Sequence, residues 1–94
     1  MDIHWDDRKD ALLLTNRHIG FEQVVAKIVA GDFLAVEGHW NEERYPNQRV
    51  FVLAIDGYAY LVPFVESPKA IFLKTIIPSR KATKRYLRGG CHDA

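Results

Sequence analysis

Lys74, Arg80, Lys81, Lys84, Arg85 and Arg88 follow one another between Ala70 and Arg88 with no acidic residue among them. An apolar run, Phe72-Leu73-Lys74-Thr75-Ile76-Ile77, passes into this burst of cations through Pro78 and Ser79. Such a segment is expected to add nothing to a core, which would leave its charge aimed at something outside the chain. Arg offers a bidentate fork and Lys a point charge, and both suit phosphate oxygens. The hydroxyls of Ser79 and Thr83 stand within the same run and can either donate to phosphate or cap a helix. The formal net charge of the chain is only +1, so affinity for a polyanion would rest on this local patch.

Other chemistries find less support. The single cysteine, Cys91, rules out an intrachain disulfide, and His4, His18, His39 and His92 have no short metal-ligand spacing. Neither a metal nor a cofactor is expected. Met1-Asp2-Ile3-His4-Trp5-Asp6-Asp7 has no basic start and no apolar stretch, which argues against a signal peptide. No run reaches the length needed to span a bilayer. A soluble, cytoplasmic protein is expected. An apolar fraction of 48% beside 27% charged residues suits one folded domain over residues 1–94, with a flexible tail from about Gly89.

The elements that must position the cations divide the chain unevenly. Asp6 or Asp7 can cap a first helix that carries Ala11, Leu12 and Leu14 inward and stops near Gly20. Phe21, Val24, Val25, Ile28 and Val29 recur at spacings of three and four, which predicts a second helix ending at Gly31. Strands are expected over residues 33–37, 49–55, 58–65 and 70–77, with 39–47 as a loop. Asp56-Gly57 is a favoured pair for a tight hairpin turn. A two-residue loop there sets Ile55 against Tyr58 and Leu53 against Tyr60, so Phe51, Tyr58, Tyr60, Val62 and Phe64 share a face. Pro63 cannot donate to a ladder and implies a bulge or open edge. The fold class is therefore α+β: two N-terminal helices on a four-stranded, mainly antiparallel sheet, closed by a short C-terminal helix or tail.

On these residues the chain resembles a BrnT-type toxin, a small relative of the RelE/ParE group of type II toxin–antitoxin systems. The resemblance runs through Trp5-Asp6-Asp7 and Lys9, Phe21-Glu22, Glu42-Glu43-Arg44 and Arg49-Val50-Phe51. It ends on Ser79-Arg80-Lys81-Ala82-Thr83-Lys84-Arg85, its most specific stretch. The family commonly carries an arginine just before Ile-Ile in the last strand, where this chain has Lys74-Thr75. The surviving cation is thus displaced by one position, toward the opposite strand face.

The resemblance implies a RelE/BrnT-like fold and a metal-independent endoribonuclease that cleaves RNA and arrests growth. It also implies a cognate antitoxin, usually of ribbon-helix-helix type, held in a hetero-oligomer that reaches operator DNA only through the antitoxin. Metal-free cleavage needs the 2′-hydroxyl deprotonated, the phosphate charge stabilised and the 5′-oxygen protonated. Arg80 and Lys81 are the first choices for holding the scissile phosphate, with Lys74 and Arg49 converging on it and Tyr60 moving a proton or stacking on a base. Lys84, Arg85, Tyr86, Thr83 and Ser79 form the expected RNA-binding margin. Two alternatives keep the fold: a non-catalytic module that binds RNA or antitoxin, and a toxin acting on gyrase.

Overall fold

The computed structural model describes residues 2–87 and has an α+β fold. The order is β1 (Asp2–Trp5), α1 (Asp7–Arg17), α2 (Phe21–Val29), β2 (Ala35–Gly38), β3 (Gln48–Ile55), β4 (Tyr58–Glu66), β5 (Ala70–Leu73) and β6 (Ile77–Pro78). A closing segment follows: one α-helical turn, α3 (Arg80–Ala82), running straight into a π-helical turn over Thr83–Leu87. Arg88 and the expected tail from Gly89 to Ala94 lie outside the described residues. No helix among the described residues is long and apolar enough to cross a membrane.

The sheet grows from its central hairpin. Asp56 and Gly57 adopt φ of 53° and 78°, the left-handed pair of a type I′ turn, whose twist matches that of the flanking strands. The turn fixes the register as expected, Ile55 opposite Tyr58 and Leu53 opposite Tyr60. Around this hairpin the strands lie in the order β1-β5-β4-β3-β2, and β6 pairs with β4 beyond the end of β5.

Six strands among the described residues replace the expected four, for two reasons. First, β1 precedes the helices and runs parallel to β5, Asp2 opposite Ala70 through Trp5 opposite Leu73. It turns Ile3 and Trp5 into the core, Trp5 stacking on Phe21 at 6.0 Å between ring centroids. Second, the expected last strand is broken into β5 and β6 by residues 74–76. Pro63 sits opposite this break, where Lys74 N donates to Pro63 O at 2.8 Å. The N and C=O of one strand residue point the same way, so the donor that proline lacks faces the gap. Of the two expectations raised by Pro63, the open edge is the one realised, since the ladder to β3 runs through Pro63 without a bulge.

The two helices cover one sheet face. Phe21 and Val24 of α2, with Leu13 and Ile19, pack on Phe51, Leu53, Ile55, Val62, Phe64, Ile71, Leu73 and Ile76. The reading of α1 needs correcting. Leu13 is its only buried residue, Ala11 faces solvent, and Leu12 and Leu14 are 59% and 46% exposed. Asp6 caps the helix by accepting from Arg8 N, which sets its phase. At about 100° per residue, three consecutive leucines can aim only one at the centre of a face. Asp10 and Leu13, three apart, hold that position, and Asp10 Oδ1 accepts from Phe21 N at 2.8 Å, capping α2. Gly20 makes this approach possible, because a Cβ there would lie 2.9 Å from both Asp10 Oδ1 and Leu14 Cδ2. At the far end of α2, Val29 is also exposed instead of buried.

Candidate functional site

The second sheet face carries Val50, Val52, Ala59 and Leu61, and the closing segment lies across it. Ser79 opens that segment: its Oγ accepts from Ala82 N at 3.0 Å as the helix cap. Thr83 fastens it. With 1% of its surface exposed, its hydroxyl accepts from Ala59 N and donates to Ser79 O, both at 2.8 Å. Past the end of β6, this side chain supplies the partner that a strand would have given to β4.

Ala82, Thr83 and Tyr86 face the sheet, and that divides the outward cations into two rows of i, i+4 pairs. Lys81 and Arg85 lean over one flank, into a hollow of about 200 Å³ with Glu37, Gly38, Trp40, Val50, Leu61 and Tyr86. Arg80 and Lys84 line a separate hollow on the other flank, with Tyr58 and Thr83. The four cations that seem continuous in sequence therefore serve two surfaces.

Glu37, the one charged residue of β2, lines the first hollow. Tyr86 Oη donates a hydrogen bond to Glu37 Oε2. Arg85 Nη1 lies 4.0 Å from the same oxygen, and its guanidinium sits 5.5 Å from the centroid of the Tyr86 ring. The hydrogen bond to Glu37 holds the Tyr86 phenol above its usual pKa; desolvation and the carboxylate's charge add to this, and Arg85 opposes it. Tyr86 is therefore a proton donor at neutral pH. Glu42 reaches back over the neighbouring backbone, since a Cβ at Gly38 would collide with its carboxylate.

A second hollow continues along the same face past Trp40, lined by His39, Tyr45, Gln48, Pro63, Lys74, Thr75 and Ile77. Lys74 is exposed in phase with Phe72, on the opposite side of the chain from buried Leu73, and its ammonium lies 5.8 Å from the centroid of the Phe72 ring. His39 is 6% exposed, and its Nδ1 accepts from Asn41 N at 3.0 Å.

Of the residues expected to do chemistry, the fold thus brings Lys81 and Lys74 onto one face, in adjoining hollows bridged by Trp40. Arg85 and Tyr86 join them from the expected margin. Arg49 and Tyr60 lie elsewhere. Arg49 pairs with Phe64 on the helix-covered face, its guanidinium 5.6 Å from that ring and its Nε 3.7 Å from Glu66 Oε1. Tyr60 packs against the helix-side core beside Tyr58, opposite Leu53 and Pro78. Alternation along a strand decides this, because odd residues of β3 and even residues of β4 point away from the closing segment. Arg80 and Lys84 occupy the other flank, and the hydroxyls of Ser79 and Thr83 are engaged with backbone.

Sequence reasoning gives Glu37 no role and reads Trp40, like Trp5, as a packing or partner contact and not a catalytic group. One signal for Glu37 was available: a lone carboxylate closing an apolar run, in phase with Ala35. Trp40 carried none, since only the fold shows that the 39–47 loop borders the groove. Comparison of the chain with family models, with curated proteins and with solved structures finds no match.

Proposed function

We propose that this protein is the toxin of a type II toxin–antitoxin pair, of BrnT type, a metal-independent endoribonuclease acting in the cytoplasm. The observation that carries the reading is the Glu37–Tyr86–Arg85 cluster with Lys81 beside it, open to solvent on the sheet face opposite the helices.

The cluster contains a group for each step of cleavage. Glu37 takes the proton of the 2′-hydroxyl as that oxygen attacks phosphorus. Arg85 and Lys81 hold the phosphate and stabilise the charge that builds on it. As the bond from phosphorus to the 5′-oxygen breaks, Tyr86 gives its proton to that oxygen. The proton on Glu37 then returns to the Tyr86 phenolate through the hydrogen bond they already share. The products are a 2′,3′-cyclic phosphate and a 5′-hydroxyl, and both side chains end as they began. An antitoxin, ribbon-helix-helix by the same resemblance, would neutralise the toxin by covering this groove and would bring the complex to operator DNA.

The test is incubation of the purified protein with a defined RNA under chelator. Cyclic phosphate ends that depend on Glu37 support the reading. Glu37→Gln is expected to slow cleavage by about 10²–10⁴-fold, the usual contribution of a positioned base. Cleavage unaffected by that substitution would overturn the mechanism. Absence of cleavage would favour a second reading, a non-catalytic binding module, which draws on the placement of Arg49, Tyr60 and Arg80 away from the groove.

A further inference from the structure

Trp40 is 62% exposed, yet it is not a loose surface side chain. Its ring lies 4.1 Å, centroid to centroid, from the ring of His39, which in turn lies 4.6 Å from that of Tyr45. His39 is buried, and the hydrogen bond from Asn41 N to its Nδ1 locks the loop around it. The chain continues as a turn in which Asn41 Oδ1 accepts from Arg44 N and Asn41 O from Tyr45 N. The indole thus leans on a tilted aromatic cluster, its ring at 31° to that of His39 and the His39 ring at 45° to that of Tyr45, while most of the side chain stays open to solvent. A lone exposed apolar side chain is ordinary by itself, so the meaning of Trp40 rests on where it stands.

Its position says what the contact is. Trp40 is the residue shared by the two hollows on this face, with Lys81 and Arg85 on one side and Lys74 on the other. A cation–aromatic–cation sequence along a groove matches a strand of nucleic acid, whose phosphates alternate with flat bases. Aromatic faces bind bases that are already unstacked, so this arrangement favours single strands over duplex. An acidic peptide would satisfy the cations but would leave the indole without a planar partner.

We propose that Trp40 is a base-stacking platform and that the groove binds single-stranded nucleic acid, with flanking phosphates held by Lys81 and Arg85 at one end and Lys74 at the other. The proposal rests on the nucleic-acid reading of the groove but not on its cleaving anything. Trp5 stacks in the core on Phe21, so in a Trp5→Phe background the emission of the chain comes from Trp40. Titration with a 2′-O-methyl oligonucleotide, which cannot undergo 2′-hydroxyl attack, is expected to quench that emission. In the otherwise wild-type chain, Trp40→Ala should bind the same probe about 5- to 150-fold more weakly, the loss of one stacked base, and Trp40→Phe should recover most of that loss. A duplex of the same sequence should compete poorly. Equal binding by Trp40→Ala with its fold intact by circular dichroism, or equal competition by duplex, overturns the proposal. So does a lack of binding to either probe, including the case in which an acidic peptide binds instead. Trp40-dependent binding without cleavage of ordinary RNA would keep this inference and defeat the nuclease. Cleavage whose KM ignores Trp40 would do the reverse.

Discussion

Replacing Thr83 with Val tests whether the closing segment hangs on a single hydroxyl. The substitution keeps the shape and removes one oxygen from a position that is 1% exposed. Two bonds of 2.8 Å disappear, one from Ala59 N and one to Ser79 O. The losses are unequal. Ser79 O still accepts from Thr83 N at 3.0 Å, whereas Ala59 N is left buried without a partner. A net hydrogen bond is worth about 1 kcal/mol, and a stranded buried donor costs about 1–3 kcal/mol, so the total is about 2–4 kcal/mol. For a domain of this size each kcal/mol lowers Tm by roughly 4–8 °C. Urea and thermal unfolding by circular dichroism measure this, and amide exchange at Ala59 reports the site directly. Thr83→Ser, which keeps the hydroxyl, should cost about 1 kcal/mol, the value of one buried methyl or slightly more. Thr83→Val should also weaken RNA binding although the Thr83 hydroxyl is taken up by backbone, because the segment it anchors carries Lys81, Arg85 and Tyr86. A Thr83→Val protein within 0.5 kcal/mol of wild type, with Ala59 still protected, would refute the anchoring role.

Three further outcomes are expected. Lys81→Ala with Arg85→Ala should abolish RNA cleavage and growth arrest, whereas Arg80→Ala with Lys84→Ala should retain most of both, because the pairs line opposite flanks of the closing segment. Matched in vitro assays and growth curves check this, and equal loss from both pairs would contradict the division. Spectrophotometric titration in alkali should show Tyr86 ionising above the ordinary tyrosine range, and Glu37→Gln should lower its pKa. Since the folded pKa is raised, the contact's contribution to stability is complete below about pH 10 and fades as pH rises through the folded value, which unfolding at pH 9 and 11 would reveal. Gly20→Ala should cost about 1–2 kcal/mol in chemical denaturation, because the new methyl displaces Asp10 from the start of α2.

Local chemistry made much of this fold legible. Asp56-Gly57 specifies a turn whose left-handed geometry is satisfied within two residues, so the register of β3 against β4 followed without knowledge of the rest. Pro63 announced a break because the missing donor is a property of the residue itself. The first strand was illegible for the opposite reason. Asp2-Ile3-His4-Trp5 is short and weakly patterned, and it becomes a strand only by lying beside β5 from the far end of the chain. Nor do three adjacent leucines reveal which one faces inward; the Asp6 cap and the Asp10 contact settle that for α1.

The same division runs through the candidate site. Composition and spacing determined by themselves that a cationic, hydroxyl-bearing segment closes the chain and that its charge looks outward, since charge density and helical periodicity are written in consecutive residues. Only the tertiary structure decided which cations act together. Strand alternation sends Arg49 and Tyr60 to the helix face, the anchoring of Ala82 and Thr83 parts Lys81 and Arg85 from Arg80 and Lys84, and the sheet order carries Glu37 and Trp40 to meet them. These are relations between segments distant in sequence, fixed by which surfaces can be buried together, and they exist only once the chain has folded.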